Sequence, residues 1–190
     1  MDKLKQRLPM HIGQRNIKTA LAATICAAAY MLISRNPTFA CIGAIFGMGS
    51  DMSNSRLSGG NRLFGTIIGG FLGMLLFQIY LFIYPDGHIT FLMLLFLFIG
   101  VILLILLSQF FNWPGAIQPG GVLLCIILYN TPVATFVPYS LNRMLDTAIG
   151  VGVALAVNYL LPRERLTKIL CALKLKKVFD ETDVNLQVTE

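Results

Sequence analysis

Three arginines in this chain are each followed four residues later by a threonine: Arg15 with Thr19, Arg62 with Thr66, and Arg143 with Thr147. On a helix that spacing puts the cation and the hydroxyl on one face, a combination suited to holding an anion. Arg62 stands in the stretch Gly59 to Gly73, GGNRLFGTIIGGFLG, at the mouth of a long apolar run, and its phrase returns as NRMLDTAIGVG from Asn142. Asn61, Arg62, Thr66 and Gly69 thereby match Asn142, Arg143, Thr147 and Gly150 at one constant offset. Arg62 and Arg143 are read as attracting a small organic anion at opposite ends of a path through the protein. For Arg15 and Arg62 a second reading stands beside this one, a snorkelling charge that anchors topology. Arg143 falls where positive charge should be scarce, and Asp146, three residues on, is expected to neutralise it.

Other polar groups sit at breaks in the apolar pattern. Asp51, in GSDMSNS, closes one short apolar segment, and Asn130 with Thr131 closes another. Freed helix-terminal backbone at such breaks can coordinate a carboxylate or an ion, and Asp51 can carry a proton; an ordinary polar loop is the plainer alternative. Catalytic signatures are missing: there is no GxSxG, no HExxH and no Gly-rich phosphate loop. The sequence therefore reads as a non-enzyme without cofactor. Cys26, Cys41, Cys125 and Cys171 form no CxxC pair, and His11 and His88 stand alone, so neither a metal site nor a disulfide framework is expected.

The elements that must position these residues are apolar throughout. Hydrophobic residues make up 56% of the chain and charged residues 13%, with a mean hydropathy of +0.72, a balance foreign to soluble domains. Crossing ~30 Å of hydrocarbon at ~1.5 Å per residue is within reach of residues 17–33, 64–84, 89–107 and 144–161. The segments 38–50 and 120–129 are nearer half a span, and each is opened by a proline, Pro37 or Pro119. With six crossings and both termini inside, all the lysines and arginines except Arg35 and Arg143 fall on the cytoplasmic side, as the positive-inside rule asks. The net charge of +6 is thus a topology signal, and no nucleic-acid partner is expected. The first span is read as an ordinary helix and not a signal peptide, because further apolar segments follow it.

The echo of Arg62 in Arg143, and of one short segment in the other, divides the chain into a leader (1–16), two three-helix repeats (17–84 and 85–162) and a tail (163–190). An odd number of spans per repeat inverts the second copy relative to the first, the arrangement in which paired broken segments line a substrate path. The expected fold is an all-α polytopic membrane protein of six transmembrane helices, in two inverted three-helix repeats with short amphipathic cytoplasmic ends. Gly65, Gly69 and Gly73 at four-residue intervals, and Gly150 in the sixth span, are read as helix-packing positions. On this reading the first, third and sixth spans form an inner wall and the bulky fourth faces lipid. Leader and tail intersperse lysines with leucines and read as interfacial segments on the cytoplasmic leaflet.

At GQRNIKTALA, the proline-opened second segment and GGNRLFGTIIGG, the chain resembles the aromatic acid exporter family, the group that includes fusaric-acid-resistance-like membrane proteins. Arg15, Lys18 and Thr19 in the first span, and Arg62, Gly65, Thr66 and Gly69 in the third, match the family's pattern in type and spacing. The resemblance implies a six-helix membrane domain, oligomeric assembly and efflux of aromatic or other organic carboxylates, and it places Lys18 with Arg15 on the substrate path. Plant malate-type anion channels look like distant relatives. Longer members carry a large cytoplasmic domain where this chain has only residues 163–190. The expectation is a gradient-driven exporter of small organic anions in the cell membrane, a homo-oligomer with a dimer favoured; a passive anion channel and a non-transporting scaffold are the alternatives.

Overall fold

A computed structural model describes residues 13–162 together with 165 and 166. The expected interfacial leader and tail lie almost wholly outside these residues. Every regular element described is helical: α1 (Gln14–Leu32), α2 (Thr38–Gly47), α3 (Met52–Ile83), α4 (Phe91–Phe110), α5 (Ile117–Asn130) and α6 (Phe136–Leu160), with a 3-10 turn at Pro114–Ala116 leading into α5. Among the described residues three helices, α3, α4 and α6, are long and apolar enough to cross a membrane. α1 has the length, at 19 residues, but Gln14, Arg15, Asn16 and Lys18 interrupt its start. α2 and α5, with 10 and 14 residues, are too short: at ~1.5 Å per residue each covers roughly 15 to 20 Å.

Two helices begin well before their apolar runs. α3 starts at Met52, where the hydropathy pattern places a span only from Phe64. Asp51 caps it, accepting a hydrogen bond from the Asn54 amide at 2.7 Å, which satisfies a first-turn donor. Gly59 and Gly60, poor helix formers, are held by what they touch. A Cβ on Gly59 would come within 2.6 Å of Val151 Cγ1, and one on Gly60 within 2.7 Å of the Trp113 ring. Close packing outweighs the propensity cost of about 1 kcal/mol per glycine. α6 starts at Phe136 and not at Met144, because Pro138 falls in its first turn, where an amide N–H has no intrahelical partner to lose.

At the centre α3 and α6 lie antiparallel, with Gly59 against Val151 and Gly70 against Met144. Each of them carries one short helix running parallel to it. α2 lies along α6, Gly43 facing Thr147 and Gly47 facing Val151 and Ala154; α5 lies along α3, Gly65 facing Ala116 and Gly73 facing Ile127. A Cβ on Gly69 would fall on the Gly120 carbonyl oxygen, and one on Gly150 on that of Ala40. α4 covers α3 and α5, while α1 covers α2 and α6. Hence α1 is peripheral and does not join α3 in an inner wall: its Ala22 and Cys26 share a buried cluster with Ala40 and Ala44 of α2, and α2 packs on α1, α3 and α6. α4 buries Met93, Gly100 and Leu104 and turns Phe91, Phe98 and Leu106 outward, as its all-round apolar surface requires of a lipid-facing helix.

Candidate functional site: an arginine-lined cleft

The register of α3 on α6 brings the two Arg-x-x-x-Thr pairs together. Thr66 and Thr147, both buried, lie near the point where the helices cross. Arg62 and Arg143 sit about one turn to either side, separated by roughly 10 Å along the axes at ~1.5 Å per residue. Within α3 the Thr66 hydroxyl donates to the Arg62 carbonyl at 2.8 Å, and Thr19 does the same to Arg15 at 2.9 Å. Arg62, Thr66, Arg143 and Thr147 line one cavity of about 20 Å³, closed by Phe39 of α2 and Pro119 of α5. A wider cleft of about 350 Å³ adjoins it, lined by Phe46, Ser58, Asn61, Gln118 and again Arg62 and Pro119.

Both guanidinium groups lie over aromatic rings, and Tyr139 offers Arg143 its hydroxyl as well as its ring. Arg62 Cζ lies 5.2 Å from the centroid of Phe46; Arg143 Cζ lies 3.3 Å from Phe39 and 4.4 Å from Tyr139. Such ring faces attract cations. The Nε of each arginine is buried without a hydrogen-bond acceptor, and among the described residues neither side chain has a carboxylate within 4.0 Å. The charge of Asp146 acts on Arg143, as its position in the sequence suggests, but without a direct ion pair. Asp146 is buried and receives the Tyr30 hydroxyl at 2.8 Å and Arg35 Nη2 at 2.9 Å, the latter also reaching Asn142 Oδ1 at 3.0 Å. The reason is local: α1 ends in a left-handed residue, Ser34 (φ 52°), and this turn brings Arg35 back across the Tyr30 carbonyl toward α6.

The remaining sequence-predicted residues lie elsewhere. Lys18 is buried at the far end of α1, where Nζ donates to Asn158 Oδ1 at 2.9 Å; Asn158 Nδ2 donates in turn to Ser55 Oγ at 2.8 Å, which also accepts from the Gly49 amide. Arg15 is exposed. Asp51 is exposed and serves as the α3 cap. Asn130 is exposed at the end of α5, and Thr131 donates to the Ile126 carbonyl at 3.0 Å. Sequence reasoning missed Phe39, Phe46 and Tyr139, which look like ordinary apolar residues until the fold sets them against arginines. It also missed Ser55 and Asn158, whose pairing with Lys18 spans most of the chain. Among the described residues no three His, Cys, Asp or Glu side chains converge as metal ligands would.

The arrangement offers two cations, ring faces and hydroxyl-bearing side chains at a helix crossing. No curated protein and no solved structure matches the chain. The model of aromatic acid exporter family member 1 matches residues 10–161, the whole helical unit from before α1 to the end of α6, and the chain belongs to that family of membrane exporters.

Proposed function

We propose that this protein exports small organic anions, aromatic carboxylates foremost, down their electrochemical gradient across the cell membrane. The observation that carries this reading is the pair Arg62 and Arg143, without carboxylate partners, lining one cavity at the foot of a wider cleft. The wide cleft takes the organic acid: Arg62 meets the carboxylate, while Phe46 and Val122 supply a ring-sized apolar wall. Moving one negative charge out of an inside-negative cell releases ~2.3 kcal/mol per 100 mV, so export needs no nucleotide. The protein is a carrier and catalyses no bond chemistry.

The six helices form two inverted repeats, with both termini cytoplasmic. Support comes from the exchange of partners between halves: α2 lies along α6 as α5 lies along α3, each short helix parallel to its mate, with α1 and α4 outermost. Within each pair the parallel direction agrees with an alternating up-and-down course of the six elements, α2 and α5 covering only part of the thickness. Phe46 and Val122 at the rim of the cleft are more than half exposed, and α2 and α5 are too short to seal arginines from hydrocarbon. A second copy closes that flank, making the working unit a homo-oligomer, a dimer in its simplest form.

Purified protein in liposomes, loaded with an aromatic carboxylate and held at an inside-negative potential, tests the reading. Saturable efflux, cut at least tenfold by Arg62→Glu in protein that still inserts, is the expected result. Ohmic current would make it a channel, and undiminished flux from Arg62→Glu would remove the anion path from this cleft.

A further inference from the structure

The small cavity and the wide cleft differ in what they can admit. At about 20 Å³ the inner cavity holds one sphere of roughly water size, far less than a ring-bearing carboxylate. Its polar lining is nonetheless cationic from two sides, Arg62 from α3 and Arg143 from α6. A guanidinium has five N–H donors and no acceptor, so the two groups cannot satisfy one another, and the Nε of each is buried without a partner. Asp146, the carboxylate closest to Arg143 in the chain, is already held by Tyr30 and Arg35. Thr66 spends its proton on the Arg62 carbonyl.

Asp146 acts on Arg143 from a distance and Tyr139 offers it a hydroxyl, but a single water here would leave Arg62 with no counter-charge where the dielectric is low. We infer that the cavity between Arg62 and Arg143 is a site for a small monatomic anion of halide size. This ligand is distinct from the organic acid of the outer cleft, and the site stands whether or not the chain moves an organic acid. The bound ion screens the two guanidinium groups from each other.

Equilibrium dialysis of the purified full chain in nanodiscs against radiolabelled chloride tests the site. Expected are saturable binding, displacement by bromide but not by gluconate, and a loss of affinity of at least tenfold in Arg143→Gln. Arg62→Gln, on the other wall, gives the same readout should Arg143→Gln fail to yield monodisperse protein, and Arg56→Gln, exposed on α3, leaves binding unchanged. Absence of saturable chloride binding overturns the inference, as does binding undiminished in both glutamine variants or equal displacement by gluconate. Organic-acid flux measured in chloride-free buffer reads the transport proposal separately: no flux beside intact chloride binding defeats export and leaves the halide site standing.

Discussion

Asp146 and Arg35 form the sole ion pair among the described residues, and their burial is lopsided: the aspartate side chain is 4% exposed, the arginine 38%. The asymmetry decides which mutation hurts. Asp146→Asn keeps a polar partner for Tyr30 and leaves an arginine that can turn to water, so its cost is that of a weakened charged hydrogen bond, about 1 to 2 kcal/mol. Arg35→Ala removes the one cation in direct contact with a buried carboxylate, leaving it the Tyr30 hydroxyl and the more distant Arg143, and should cost about 3 kcal/mol. Unfolding of the two variants in detergent, followed by Trp113 fluorescence, should rank them in that order; the reverse order would mean that the pair is stabilised from its outer end. Residue types alone placed Asp146 with Arg143, since three-residue spacing suggests contact on a helix. The alternative partner was invisible because Arg35 reaches α6 only through a left-handed turn at Ser34.

Among elements, the short helices depend on glycine. Gly69→Ala would drive a methyl group into the Gly120 carbonyl and separate α3 from α5, whereas Gly152 has no atom within 4 Å of where a Cβ would stand. Gly69→Ala should therefore lower stability by about 1 to 3 kcal/mol, while Gly152→Ala should leave it level or raise it through helix propensity. Thermal melts of both in one detergent decide the matter, and equal melting temperatures would show that α5 yields freely. The four-residue glycine spacing in α3 was legible as a packing stripe, although not the mate it packs on. Hydropathy found all six helices but misplaced the starts of α3 and α6. Polar and glycine-rich residues 52–63 resemble a loop until an aspartate cap and contacts from Val151 and Trp113 are known. α1 was assigned to the interior on its alanines, yet those alanines match the small residues of α2 and hold α1 at the edge.

For the whole molecule, composition and the placement of lysine and arginine already specify a helical membrane protein. The proposed topology puts the α3–α4 connection outside and the α2–α3 connection inside. In a background with the native cysteines replaced, Asp86→Cys should react with a membrane-impermeant maleimide on intact cells, and Asp51→Cys only after permeabilisation; labelling of both from outside would invert the arrangement or reduce the number of crossings. Arg62 and Arg143 were legible as a related pair, but the sequence set them at distant mouths. The antiparallel crossing of α3 on α6 instead draws them to within about two helical turns of each other, and only packing could supply that register.

The pairing of α2 with α6 and of α5 with α3 has a bearing on biogenesis. α2 emerges early from the ribosome but finds its seat on α6, the last described helix to be made, while the groove of α3 waits for α5. A nascent chain that has inserted only its first three helices holds α2 against α1 and α3, but Gly43 and Gly47 still lack Thr147, Val151 and Ala154, which they face in the finished protein. The face of α2 that meets α6, and the cavity that Arg143 lines, are therefore completed only when the last described helix arrives.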